Sequence, residues 1–259
     1  MNLPNDVTEI LSALLAGARQ TLKSNLAGVY LRGSLAHGGF RAETSDVDVL
    51  AVTETAVGDA EFGALASMHA QLASLPNPYG NRIEIAYIDR AALRRFRPGL
   101  RHPTRGQGAA LERSEHHANW ILERWTVREH GVTLHGPNPQ TLIDPISSGE
   151  IREAVRARLG DWADWAQKPD DPEWLAPRRG AAAYVVETMC RALHTLSCGQ
   201  LTNKAEAVAW ALDSLPEPWR STVELSQAWR TDGTNDPAIV PQVMRFVLWV
   251  TARAHDVAR

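Results

Sequence analysis

The sequence predicts an α+β chain: a small mixed sheet with helices against it, followed by an all-α helical bundle. In the first half, short apolar segments of period two alternate with amphipathic patterns of period 3.6. Gly136-Pro137-Asn138-Pro139 and Asp144-Pro145 then punctuate the chain. Beyond them the pattern is helical throughout. We therefore expect one domain over residues 1–146 and a second over residues 147–259. A chain of 259 residues is long enough for each to bury its own core.

Val7, Ile10, Leu11, Leu14, Leu15 and Ala18 recur at helical spacing between Asp6 and about Leu26, behind an Asn5 or Asp6 cap. Gly28-Val29-Tyr30-Leu31 reads as the first strand and Gly33-Ser34 as the turn that ends it. The next strand carries Asp46-Val47-Asp48-Val49-Leu50-Ala51-Val52. A helix is expected over about 59–74, before the break at Pro76-Asn77-Pro78, and a third strand at Arg82-Ile83-Glu84-Ile85-Ala86-Tyr87. Residues 93–113 read as an irregular basic loop, because Arg94, Arg95, Arg97, Arg101, Arg105 and Arg113 are interleaved with prolines and glycines. Such a loop either touches phosphates or is simply solvated. His116 to Trp125 reads as helical, with the adjacent His116 and His117 too far apart around a helix to pair on a metal. In the second half, helices are expected over about 150–167, 180–198, 203–215, 217–229 and 237–256, with Ser147 or Ser148 capping the first.

The chemistry concentrates at the turn and the two strands that follow. Alternate side chains of a strand share a face, so Asp46 and Asp48 point the same way and their carboxylates converge on one hard cation. Mg²⁺ favours a few carboxylates plus substrate phosphates over a full protein cage, so the pair suggests a nucleotide as well as a metal. Gly33 lets the backbone approach closely, and Ser34 offers a hydroxyl to phosphate oxygens. Glu84 supplies a third carboxylate, as general base, metal ligand or both; alone, it reads equally as the solvent face of an edge strand.

Through Gly33-Ser34, Asp46-Val47-Asp48 and Glu84 the chain resembles the DNA polymerase β-like nucleotidyltransferases. Within that superfamily it is most similar to the streptomycin/spectinomycin (aminoglycoside 3''-) adenylyltransferases. The likeness continues through Met189-Cys190-Arg191-Ala192-Leu193-His194-Thr195-Leu196, Gly199 and Asn203-Lys204-Ala205-Glu206-Ala207. It implies ATP as co-substrate, Mg²⁺ on Asp46, Asp48 and Glu84, and a nucleotide held by Gly33, Ser34, Ser45, Arg191 and Lys204 across an interdomain cleft. Lys204 has its own warrant. With Thr202 as cap it sits in the first turn of a helix, where the dipole disfavours a cation unless an anion is bound there.

The resemblance implies AMP transfer to a hydroxyl of a small cationic acceptor, with Glu84 touching it. Trp162, Trp165 and Trp174 lie near Asp161, Asp164, Asp170, Asp171 and Glu173; aromatic planes beside carboxylates suit a polycationic sugar, while a bundle core and a solvated connection are the alternative. The chain departs from the family at Ala181, where an acid is expected, at Tyr184, where a histidine is, and at Asn119, where an aspartate is. Trp174, Asp171, Glu173 and Tyr184 are the acceptor candidates that remain. The departures keep another metabolite or a protein hydroxyl open as acceptor, and a non-catalytic, antitoxin-like nucleotide binder as an alternative.

A net charge of −3 offers polyanions no general attraction and counts against a nucleic-acid partner. Cys190 and Cys198, about 12 Å apart along one helix, are too distant for a disulfide and fit a reducing compartment. No secretory signal or bilayer-length apolar run is legible, so a cytoplasmic monomer without a membrane partner is expected.

Overall fold

The computed structural model describes residues 3–167 and 177–256. The chain divides into two compact units, Met1–Pro145 and Ile146–Arg259.

The first unit holds α1 (Asn5–Leu22), β1 (Leu26–Leu31), α2 (Gly33–His37), β2 (Val47–Thr53), α3 (Asp59–Ala73), β3 (Ile83–Asp89), α4 (Arg90–Arg94), β4 (Arg101–Arg105), β5 (Glu112–Glu115), α5 (Asn119–His130) and β6 (Val132–His135). The strands form a six-stranded sheet in the order β5-β4-β3-β2-β1-β6. Only the β2/β3 neighbours run parallel; α3 makes the crossover between them.

Period-two alternation sorts the central strands. Val29, Leu31, Val47, Val49, Ala51, Ile83, Ile85 and Tyr87 join Ile10, Leu14, Leu65 and Leu72 of α1 and α3 in one core. Each Val, Leu or Ile side chain of this set contributes roughly 1.5–3 kcal/mol when fully buried, which makes the register of β2 and β3 expensive to shift. The alternate positions, including Asp48 and Glu84, must then face the other side of the sheet.

Several elements differ from the sequence reading. Residues 93–113, expected to be irregular, contain β4 and pass into β5, an antiparallel hairpin. Its arginines are mostly committed. Arg105 donates to the Ile83 carbonyl at 2.6 Å and to Asn81 Oδ1 at 2.9 Å, Arg113 to Asp59 at 2.9 Å, and Arg94 and Arg95 to Asp144. His116 precedes α5 rather than lying in it, and is 1% exposed. It stacks on Trp120 with ring centroids 3.6 Å apart and pairs with Thr104 Oγ1 at 2.9 Å. β6 is short and only partly apolar, too weak a pattern to be read as a strand; its pairing with β1 completes the sheet edge.

The second unit contains α6 (Ser148–Gln167), α7 (Arg179–Cys198), α8 (Lys204–Ser214), α9 (Trp219–Trp229) and α10 (Val240–Asp256). Helix α7 packs against α6, α8, α9 and α10 and carries a buried stripe of Val185, Met189, Ala192, Leu193 and Leu196. Ser147 Oγ accepts from the Glu150 N–H and caps α6. Asn203, not Thr202, caps α8, because its Oδ1 accepts from the Glu206 N–H at 2.9 Å while the Thr202 hydroxyl binds the Glu206 carboxylate. Trp162 and Trp165 meet edge to face within α6, half-buried. Cys190 is buried, Cys198 exposed, and both are free thiols. Among the described residues no helix is long and apolar enough to cross a membrane.

Burial holds His116 neutral in the folded protein, its pKa depressed to about 2, with the neighbouring His102, Arg124, Arg32 and His117 adding to the effect. The unfolded chain binds a proton near pH 6.5 that the fold refuses, so this contribution is complete above that pH and is lost as pH falls below it. Urea unfolding between pH 7.5 and 5.0 should lose about 2 kcal/mol through this group, and His116→Phe, which keeps the stack on Trp120, should flatten the slope by that amount. An unchanged slope in the variant would refute the assignment.

Candidate active site

The end of β1 brings backbone and carboxylates together. The Arg32 N–H donates to the Asp48 carbonyl at 3.0 Å, after which Gly33 turns the chain with φ +58°. A Cβ at Gly33 would lie 2.1 Å from Asp48 Oδ2, so this position requires glycine for both its conformation and its contact. The parallel register sets Asp48 directly beside Glu84, on neighbouring strands about 4.8 Å apart and on one face of the sheet. Asp46 stands one residue before β2 begins, not within the strand as expected. The Ser34 hydroxyl is buried without a hydrogen-bond partner among the described residues. Ser45 Oγ accepts from the Arg41 N–H at 2.9 Å and so fixes the loop leading into Asp46.

Two arginines face the two aspartates. Arg82 Nε is 3.7 Å from Asp46 Oδ1, while its guanidinium also donates to the Ala42 and Ser45 carbonyls and lies over the Tyr79 ring. Arg32 Nη1 is 3.3 Å from Asp48 Oδ1 and 2.7 Å from Glu123 Oε2, with the guanidinium 5.7 Å from the Trp120 ring centre. Burial opposes the charge on Arg32, but Glu123, Asp48 and Glu84 outweigh it and hold the guanidinium charged. The Glu84 carboxyl is pushed up from its ordinary value, first by burial and further by Asp46 and Glu123, against the pull of Arg32 and of a hydrogen bond to the Gln107 backbone.

Among the described residues no three His, Cys, Asp or Glu side chains are grouped closely enough to enclose a metal. The donor set still suits Mg²⁺, which takes hard oxygens and is commonly held by one or two carboxylates plus phosphates and water. Asp46 and Asp48 would meet that requirement, and the buried Ser34 hydroxyl, without a partner among the described residues, follows the glycine that packs against Asp48.

In the helical unit, Lys204 begins α8 as expected, 3.8 Å from Glu187 Oε2 and 4.4 Å from the centre of the half-exposed Tyr184 ring. Glu187 does not pair with Arg191. It is buried and takes Arg230 and Lys204 as partners. No hydrogen bond or ion pair holds the Arg191 guanidinium among the described residues. Asp171, Glu173 and Trp174 lie outside the described residues.

Arg32 and Glu123 are the residues that sequence reasoning missed. A charged residue closing an otherwise apolar strand, immediately before the glycine, was the available signal for Arg32. Glu123 lies one helical turn after Asn119, on the same face of α5 as the position where an acid was expected.

Residues 141–250 match the family model described as "Aminoglycoside adenylyltransferase, C-terminal domain". The spectinomycin 9-adenylyltransferase of Campylobacter jejuni is 25% identical over 95% of this chain and 97% of its own length. The aminoglycoside (3'') (9) adenylyltransferase of Shigella flexneri is 23% identical over 95% of this chain and 94% of its own. The crystal structure of spectinomycin adenyltransferase AAD(9) from Enterococcus faecialis with ATP and spectinomycin shares the fold, with a TM-score of 0.75 at 17% identity over 96% of this chain and 99% of that one. With the Gly-Ser turn, the aspartates and the strand-borne glutamate in place, the chain is similar over nearly its whole length to the spectinomycin and aminoglycoside (3'') (9) adenylyltransferases, and its residues 141–250 match the C-terminal domain of the aminoglycoside adenylyltransferases.

Proposed function

We propose that the chain transfers AMP from ATP to a hydroxyl of a spectinomycin- or streptomycin-like antibiotic. The single observation that carries this mechanism is the register pairing of Asp48 with Glu84 against the Gly33 backbone. Asp46 and Asp48 would hold Mg²⁺, which when bound neutralises triphosphate charge and polarises the phosphoryl group under attack. Gly33 and Ser34 hold phosphate oxygens, Ser45 fixes the approach to Asp46, and Arg191 and Lys204 are the nucleotide-binding candidates of the helical unit.

Glu84 accepts the proton of the acceptor hydroxyl as its oxygen attacks the α-phosphorus. The new O–P bond forms as the bond to the β-phosphate oxygen breaks, and pyrophosphate leaves. A carboxyl pushed upward is a better base than an ordinary glutamate, provided it is deprotonated at working pH. Glu84→Gln should lower kcat by about 10²- to 10⁴-fold while ATP binding, measured by calorimetry, stays within about threefold. Near-normal turnover in the variant would remove Glu84 from the role. The same carboxyl should place the acid limb of the kcat/KM profile above the ordinary glutamate range, with rate increasing as pH increases through it. A flat profile there would count against the base.

The half-exposed Tyr184, beside Lys204, is the acceptor candidate within the described residues; Asp171, Glu173 and Trp174 complete the proposal from the sequence. Mass spectrometry after incubation with Mg²⁺, ATP and either antibiotic should find the mass of one added adenylyl group. Unmodified antibiotic, alongside pyrophosphate release with another metabolite or a protein hydroxyl, would move the acceptor assignment there.

A further inference from the structure

We propose that Arg32 is a built-in counter-cation for Asp48, and that Glu123 keeps Arg32 paired when Asp48 turns to a metal ion. This rests on the reading of Asp46 and Asp48 as the metal-holding pair. Arg32 is 9% exposed, so its guanidinium cannot fall back on bulk water if it loses a partner. Its two partners are held differently. Toward Glu123, Nη1 makes a hydrogen bond of 2.7 Å; toward Asp48 it makes a longer ion pair at 3.3 Å.

The bond to Glu123 therefore survives a turn of the Asp48 carboxylate. Trp120, under the guanidinium plane, and the Arg32 N–H bonded to the Asp48 carbonyl keep the side chain and its root in place during that exchange. Without Arg32, Asp48, Glu84 and Glu123 would face one another with less compensating charge, and like charges this close favour uptake of any available cation. Arg82 does not substitute for it, because Arg82 faces Asp46 and is tied to the Ala42 and Ser45 carbonyls.

The two partners have opposite effects on metal affinity. Removing Arg32 takes a cation away from Asp48 and deepens the negative potential, so the metal binds more tightly in the absence of nucleotide. Removing the charge of Glu123 leaves Arg32 with Asp48 as its remaining close ion pair and weakens the metal. A purely structural role predicts that both variants lose stability and that neither changes the metal response.

The test is calorimetric titration with Mn²⁺ alone, without ATP, of the full chain and three variants, with thermal unfolding followed over the same metal range. Arg32→Met should bind Mn²⁺ about tenfold more tightly than the parent, Glu123→Gln about three- to tenfold more weakly, and Arg32→Lys within about threefold. Metal-free Arg32→Met should unfold at lower temperature, and saturating Mn²⁺ should restore more of the loss than in the parent. Equal metal response in all four proteins, or a shift of the same sign in Arg32→Met and Glu123→Gln, overturns the inference. A fourth variant, Asp48→Asn, titrated in the same way, separates the two readings: if it binds Mn²⁺ like the parent, the metal assignment itself fails; if it loses Mn²⁺ while Arg32→Met stays at parental affinity, only the counter-cation role fails.

Discussion

The parallel register between β2 and β3 is the constraint on which the site depends. Val47, Val49 and Ala51 lie beside Ile83, Ile85 and Tyr87 in the core under α1 and α3, and a slip of one residue would turn all of them outward. The same register leaves Asp48 and Glu84 adjacent on the opposite face. Apolar burial thus sets the spacing of the charged groups, and Gly33 closes the arrangement by bringing the turn against Asp48 where no side chain fits.

Packing carboxylates on partly buried strands has an electrostatic cost, and the protein meets it with arginines anchored elsewhere. Arg32 is held by Glu123 and lies over Trp120, which itself stacks on the neutral His116. Arg82 is fixed by two backbone carbonyls and the Tyr79 ring. In each case a cation reaches an aspartate without depending on it for its own placement. That separation leaves each aspartate able to change partner without disturbing the cation's own anchoring, because the surrounding structure does not hinge on that one bond.

The sequence makes the strand pair and the turn legible because local periodicity and residue chemistry agree there. Asp46-Val47-Asp48 and Glu84 alternate with apolar residues that have one possible destination in a half-buried strand. Residues 93–113 mislead because prolines and arginines mask a short hairpin whose pairing is tertiary: Arg105 reaches back to Asn81 and the Ile83 carbonyl, partners 24 and 22 residues away in the chain. His116 misleads for a related reason, since its neighbours in sequence look helical while its ring is buried against Trp120 and Thr104. Arg32 and Glu123 are separated by 91 positions, and no local pattern links them.

The helical unit changes the weight of two basic residues. A lysine in the first turn of α8 opposes the helix dipole by a few tenths to about 1 kcal/mol, which in sequence alone points to a bound anion. In the structure Glu187 and the Tyr184 ring already answer that cation, and buried Glu187 itself needs Arg230 and Lys204 close by. Glu187 and Tyr184 thus account for Lys204 as well, so its place in the first turn does not by itself require phosphate. Arg191 is different: the acid one turn before it is engaged elsewhere, and no partner holds its guanidinium among the described residues. Of the two, Arg191 is the one whose guanidinium the described residues leave without an ion pair.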